Sequence, residues 1–386
     1  MVFSNNASEN LNIQEKLFFN GQTYFDSLLN DIDNAKQSID IEAYIFDLDK
    51  LGKTIIASLE AAAKRDVKVR VLVDGAGTPQ WGGNLIKNLE QNGAQTRIFH
   101  PFPWRLWQWS RSYVSVPALL KSIYLLLKIN SRNHRKVCII DKTIVYIGSF
   151  NICQNHLDKS LTDKGWRDTG VRLENANIVD LYQAFEAAWN HIPIQERIKY
   201  FFRHIYTNPI IRLNNTRHRR RILYKDLLTR IKKAKTRIWI TNAYFVPDNF
   251  LLKKIKDAAR SGVDVRILLP NKSDVAFMPW ASKAFYENLL KTGIRIFEYQ
   301  PSMLHAKTLV LDDWMLIGSS NLNHRSLMHD LEVDVNIRQN ESKVALEKQF
   351  ALDLTEANEI LLNTWQKPPL HHRIIGRLVL YLKYLI

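Results

Sequence analysis

The chain carries His-x-Lys-x-x-x-x-Asp twice, and each copy is followed at nearly the same distance by Gly-Ser-x-Asn. The first set is His134, Lys136 and Asp141 with Gly148, Ser149 and Asn151; the second is His305, Lys307 and Asp312 with Gly318, Ser319 and Asn321. At average residue frequencies, one such motif arises by chance in roughly a few per cent of chains this long. Two copies with the same tail are beyond coincidence, and they describe two half-sites whose histidines share one reaction. An imidazole can attack phosphorus and hold the phosphoryl group as a phosphohistidine. A second, protonated imidazole can give its proton to the departing alkoxide and then take one from an incoming alcohol. Lys136 and Lys307 supply positive charge for the non-bridging oxygens, while Asn151, Asn321 and the hydroxyls of Ser149 and Ser319 can bind the phosphate.

Each histidine also needs a carboxylate to fix its tautomer and support its positive form. The candidates are Asp168 in Trp166-Arg167-Asp168-Thr169 and Glu332 in Asp330-Leu331-Glu332-Val333. Asp141 and Asp312 count with the catalytic set as motif members, although their position beside a turn suits fixing that turn and holding nearby basic groups. Such a site needs no metal or cofactor, and no carboxylate or Cys/His cluster has metal-ligand spacing. His324 and His329 stand close enough to the second motif to line a pocket, whereas His371-His372 reads as exposed.

The elements that position these residues are duplicated too. Residues 38–44 and 237–244 alternate in period two, as strands do. Helical stretches follow at 55–65 and 251–260, then β-rich runs at 67–72 and 263–268. A second helix in each half ends at Gly93 or Gly293, and Arg97-Ile98-Phe99 answers Arg295-Ile296-Phe297. Each motif opens a strand, 136–140 or 307–311, that turns at Asp141-Lys142 or Asp312-Asp313 and returns at 144–147 or 314–317. Residues two apart on such a strand share a face, which puts His beside Lys. The result is an α/β fold: two pseudo-twofold halves, each a mixed sheet flanked by helices, around one shared cleft. The halves span 1–210 and 211–370, and 371–386 is a basic-aliphatic tail.

Phe99 lies thirty-five residues before His134, but Phe297 only eight before His305, so the first half holds 27 extra residues within about 101–131. They include Trp104, Trp107, Trp109, Tyr113 and many leucines interleaved with bases, the composition of an interfacial segment. Net charge is +16, and three stretches lack Asp and Glu altogether: 91–140, 197–225 and 360–386. A polyanionic partner is implied, either an anionic membrane or nucleic acid. Clustered leucine beside the tryptophans favours lipid, because nucleic acid calls for stacking aromatics without it. Hydrophobic residues make up 46% and charged residues 24%, as in a globular chain. Cys138 and Cys153 read as small buried fillers in a reducing compartment. Residues 1–12 have no signal-peptide pattern, and no stretch is long enough for a transmembrane helix. Nothing in the sequence speaks to oligomeric state.

With these motifs the chain resembles the phospholipase D superfamily and, within it, the bacterial cardiolipin synthases. The likeness runs from Phe25-Asp26-Ser27-Leu28-Leu29 through Asn133-His134-Arg135-Lys136 and Trp166-Arg167-Asp168-Thr169-Gly170 to Asn242-Ala243-Tyr244-Phe245-Val246-Pro247, Met303-Leu304-His305-Ala306-Lys307 and Gly318-Ser319-Ser320-Asn321. The resemblance implies transfer of a phosphatidyl group from phosphatidylglycerol to another phospholipid headgroup alcohol. His134 and His305 would react, with Asp168 and Glu332 orienting them. It also implies a peripheral place on the cytoplasmic face of a bacterial inner membrane, in a short form without N-terminal transmembrane helices. Membrane contact would come from the basic and aromatic surface, led by Trp104, Trp107 and Trp109. The competing readings are a phospholipid hydrolase, a nuclease or phosphodiesterase of the same superfamily, and a non-enzymatic membrane-binding protein.

Overall fold

A computed structural model describes residues 13–112, 116–157, 165–190, 209–366 and 368–381. The polar stretch 1–12, Tyr113, most of the stretch leading to residue 210, and the end of the tail with Lys383 lie outside them.

Two mixed sheets form the frame. The first contains β1 (Gln14–Phe18), β2 (Ser38–Ala43), β3 (Lys68–Asp74), β4 (Gln95–Phe99), β5 (Val137–Ile140), β6 (Ile144–Gly148) and β7 (Gly170–Glu174) in the order β1-β7-β6-β5-β2-β3-β4. The second contains β8 (Ile211–Leu213), β9 (Arg237–Thr241), β10 (Asp264–Pro270), β11 (Arg295–Tyr299), β12 (Thr308–Leu311), β13 (Trp314–Gly318), β14 (Val333–Ile337) and β15 (Ala357–Ile360) in the order β15-β11-β10-β9-β12-β13-β14-β8. Reading β2 to β7 against β9 to β14, and β1 against β8, the two orders coincide; β15 is an addition at one edge. In both sheets the three strands joined by helical crossovers are parallel and the remainder antiparallel.

Helices such as Gly21–Asn34 and Lys50–Lys64 cover one face of the first sheet, where Phe25, Leu28, Ile55 and Leu59 meet Ile39, Ile41 and Val71. The opposite faces meet across the pseudo-twofold. Val137, Ile139, Val145, Ile147 and Val171 of one half pack with Val310, Met315, Ile317, Val333 and Val335 of the other in one apolar cluster. Strands buried on both faces are continuously apolar, as Val-Cys-Ile-Ile of β5 is. Both cysteines are free and buried.

The hairpins after the motifs depend on their aspartates. Asp141 and Asp312 adopt left-handed backbone, φ 50° and 53°, a conformation Asp tolerates better than most residues. The Asp141 carboxylate accepts the amides of Lys36, Gln37 and Ser38, and Asp312 accepts those of Lys235, Thr236 and Arg237. Neither bonds a histidine among the described residues. Their place in the catalytic set is therefore corrected: each carboxylate ties a hairpin to the start of the neighbouring strand. Partial burial pushes the Asp312 carboxyl up, but the Thr236 hydroxyl and the three amides outweigh it and bring the group down to about 2.

Asp312→Ala should leave three amides without their acceptor and lower stability by about 1–3 kcal/mol, measured by chemical denaturation. Because the folded group is depressed, its contribution is present above about pH 4 and fades as pH falls through about 2. An equal loss in the alanine variant at pH 7 and pH 2 would contradict this.

Candidate active site

Each motif histidine precedes its strand rather than lying within it. What holds it is a short backbone bridge to the other half. The His134 amide donates to Leu331 O at 2.9 Å and the Leu331 amide to Arg132 O at 2.9 Å. In the second half-site the His305 amide donates to Arg167 O at 2.8 Å and the Arg167 amide to Met303 O at 2.9 Å. Leu331 immediately precedes Glu332, and Arg167 immediately precedes Asp168. The bridge therefore sets each carboxylate beside the histidine of the opposite half.

The side chains complete the cross. His134 Nδ1 lies 3.0 Å from both Glu332 oxygens, and His305 Nδ1 lies 2.7 Å from Asp168 Oδ2. With Nδ1 engaged, Nε2 is the nitrogen left to react in each ring. Ser149 and Ser319 were expected to bind phosphate; both are wholly buried and donate instead to Asp168 and Glu332. That is a correction with a simple cause: each follows the glycine that ends β6 or β13, and its side chain turns under the carboxylate.

Asn151 and Asn321 do line the cleft, a cavity of about 410 Å³ that also includes His134, His305, Tyr44, Tyr244, Asp274, Arg325 and Glu332. Their buried Oδ1 atoms have no hydrogen-bond partner among the described residues. Lys136 Nζ and Lys307 Nζ each donate to the carbonyl of their own motif histidine. Each ammonium also sits over a tyrosine ring, Tyr44 at 5.2 Å and Tyr244 at 5.8 Å. His324 and His329 lie against each other with ring centres 5.4 Å apart and are not among the residues lining the cleft. His372, expected to be exposed, stacks on Trp280 at 4.2 Å.

Burial governs the electrostatics. It lowers Lys136 to about 7 and Lys307 to about 8, because carboxylates nearby only partly offset the loss of water. Burial, with Lys136 and Lys307 adding to it, also pushes His134 well down. Glu332 is driven up to about 7 by burial against the pull of Lys136, Ser319 and Ser326. Asp168 goes the other way: burial would raise it, but the charge and hydrogen bond of His305 hold it well below the usual carboxylate range. The two half-sites thus share a plan but not a charge state.

His156 is a site residue that sequence reasoning missed. It is buried, its ring centre lies 5.9 Å from that of His305, and its Nδ1 lies 3.4 Å from Asp168 Oδ2. Together His156, Asp168 and His305 bring ligand-capable atoms within 4.8 Å of one another, although His305 and Asp168 already bond to each other. Spacings of 12 and 137 residues hide such a group from any local motif.

A family model described as cardiolipin synthase, phospholipase D-like domain, matches residues 28–189 and 227–354. The chain belongs to this family. It is 31% identical over 370 residues to a cardiolipin synthase of Clostridium perfringens strain SM101, covering 93% of this chain and 74% of that one. A cardiolipin synthase of Staphylococcus aureus strain Mu50 is also 31% identical, over 369 residues, 93% of this chain and 71% of the relative. Among solved structures, phosphatidylserine synthase of Haemophilus influenzae Rd KW20 superposes with a TM-score of 0.68 at 13% identity, over 97% of this chain and 95% of that one. That likeness concerns the fold alone. Membership makes this chain a cardiolipin synthase-like phosphatidyltransferase, and both members of each crossed pair lie within the matched segments.

The insertion before His134 is built inside out. Lys121 is buried and donates to Trp109 O at 2.7 Å; Arg105 donates to Gly75 O; Arg111 forks onto Glu90. Outward lie Trp104 and Trp107, each 61% exposed, with Leu119, Leu120, Ile123, Leu126 and Leu127 of the helix Ala118–Leu127. Trp109 differs from the expectation for it: it is half-buried beneath Lys121, with its indole nitrogen shut away from solvent. No helix among the described residues is long and apolar enough to cross a membrane.

Because the site cations are weakened by burial, anion binding should fall as pH rises through about 7 to 8. Calorimetry with glycerophosphoglycerol, a diester whose own charge is constant there, should give an affinity several-fold lower at pH 9 than at pH 6. Lys136→Met should flatten the lower part of that curve; a pH-independent affinity in the unsubstituted protein would refute the assignment.

Proposed function

We propose that this chain transfers the phosphatidyl group of phosphatidylglycerol to the headgroup alcohol of a second phospholipid, with His134 as nucleophile and His305 as general acid and base. The crossed histidine–carboxylate pairs carry this reading, since they aim two Nε2 atoms into one cleft that two lysines make electropositive. Burial lowers both imidazoles, His134 far down and His305 less so because the charge and hydrogen bond of Asp168 oppose it. The side chain of His134 is also the more open, 12% against 3% exposed, and both differences suit it as the nucleophile. His305 is the better proton carrier because it faces an ionised Asp168.

In the first step the Nε2 lone pair of His134 attacks phosphorus, and the bond from phosphorus to the glycerol headgroup oxygen breaks. The leaving alkoxide takes the Nε2 proton of His305, and glycerol departs. In the second step the hydroxyl of the acceptor lipid passes its proton back to His305 while its oxygen displaces His134 from phosphorus. The lysines and the amide groups of Asn151 and Asn321 bear the growing charge on the non-bridging oxygens.

The exposed leucines of the insertion, together with Leu370, Ile374 and Leu378 of the helix Leu370–Tyr381, support docking on an anionic membrane. That helix packs through Ile375 and Leu380 against Met278, a residue lining the cleft. The insertion seats on the loop after β3, the counterpart of the loop after β10 that supplies Asp274 and Val275 to the same cleft. The tail helix thus packs beside the cleft, and the insertion seats on the pseudo-symmetric counterpart of a lining loop. Full removal of a leucine from water contributes roughly 1.5–3 kcal/mol, against about 1 kcal/mol for a basic residue near an anionic surface. The apolar contact dominates.

His134→Ala and His305→Ala should each reduce transfer below detection, measured as glycerol release from short-chain phosphatidylglycerol. Mass spectrometry after an alkaline quench should find a phosphatidyl adduct on His134; an adduct on His305 would reverse the two roles. Phosphatidic acid as the sole product would indicate a hydrolase. Flotation with phosphatidylglycerol vesicles should persist at high salt. Loss of vesicle binding together with salt-sensitive DNA binding would overturn the lipid reading.

A further inference from the structure

The two half-sites solve one problem with exchanged parts. In the second half, the Ser326 hydroxyl accepts the Asn321 amide at 2.9 Å and donates to Glu332. In the first half the residue at the same distance beyond the asparagine is His156, whose Nε2 accepts the Asn151 amide at 3.1 Å. A ring nitrogen that accepts cannot carry the proton, so the neutral imidazole has it on Nδ1. Among the described residues that N–H has no acceptor within hydrogen-bond geometry, and it faces Asp168 Oδ2 at 3.4 Å, the same oxygen that takes His305 Nδ1.

A long side chain thus meets the short carboxylate, and a short side chain meets the long one. We propose that His156 is a positioning residue, which with Asp168 forms the counterpart of the Ser326–Glu332 pair and holds the carboxylate that orients His305. The inference rests on His305 being a reacting group, as argued above. His156 is not itself among the residues lining the cleft; it acts through Asp168 and through the backbone of Asn151. Among the described residues the ionisable groups around it are Asp168, His305, Lys307 and Lys136, and burial keeps the ring neutral, at about 3. A neutral donor is what the arrangement needs, since a cation here would compete with His305 for Asp168. The contact is long at rest, as hydrogen bonds around catalytic groups often are before substrate arrives.

The test uses the full chain and short-chain phosphatidylglycerol. His156→Ala should lower kcat about tenfold with KM within about twofold, the loss expected for one buried hydrogen bond. His156→Gln can accept from Asn151 and donate to Asp168 at once, and it should stay within about threefold of the parent. Asp168→Glu should cost on the order of a hundredfold, and adding His156→Ser, which copies the second half, should recover about tenfold of that. Additive losses in that cycle, or a glutamine variant no better than alanine at equal melting temperature, would overturn the inference. The His305 Nδ1 proton, followed by NMR, should move in the alanine variant and return in the glutamine variant whether or not transfer is observed. Absence of transfer in the unsubstituted chain counts against the proposed function; normal transfer with an indifferent His156→Ala and an unmoved Nδ1 proton counts against His156 alone.

Discussion

Everything in the site follows from two backbone bridges that cross the pseudo-twofold. Each ties the amide of a motif histidine to the carbonyl just before the opposite half's carboxylate, at 2.9 and 2.8 Å. A hydrogen bond of this kind contributes only about 1 kcal/mol net. Its weight here is geometric, because it fixes which acid each imidazole meets and so which ring nitrogen faces the substrate. The apolar cluster between the sheets supplies the cohesion that keeps both bridges closed. Opening that seam would separate both histidines from their acids at once. Neither half holds a complete site on its own.

The second consequence is electrostatic. A cleft that buries two lysines, two histidines and two acids has little water to solvate any of them, so their charges depend on one another. Burial weakens the lysines, and an arriving phosphodiester restores what burial took, since its negative charge favours their protonated forms. The site is therefore most strongly cationic when it is occupied. The inequality between Asp168, held ionised, and Glu332, pushed to about 7, gives different electrostatic settings to two histidines that the motif alone makes look alike.

Much of this was legible in the sequence. The duplicated motif marked both histidines and both lysines, and the period-two runs marked the strands that carry them. The aspartates of the motif could be read as turn residues, because their spacing put them at hairpins. The cross between Asp168 and His305 and between Glu332 and His134 was not legible, because it depends on how two sheets meet rather than on any spacing along the chain. Ser149 and Ser319 misled for a related reason: a hydroxyl beside a catalytic motif looks like a phosphate ligand until the carboxylate beneath it is seen. His156 had no motif to belong to. Only the superposition of one half on the other gives it a counterpart, Ser326, and hence a role.

The inside-out insertion has a kinetic meaning of its own. With Lys121, Arg105 and Arg111 turned inward, the leucines and tryptophans outside remain hydrated in bulk water at roughly 25 cal/mol for each square ångström. On the proposed membrane docking, that solvation cost is relieved as the face comes to rest among acyl chains. A protein so docked meets its substrates by lateral diffusion, and the relevant concentration becomes a mole fraction in two dimensions rather than a molarity. Diluting the proposed donor lipid with an inert one would then slow the reaction even when the total amount of substrate in the tube is unchanged.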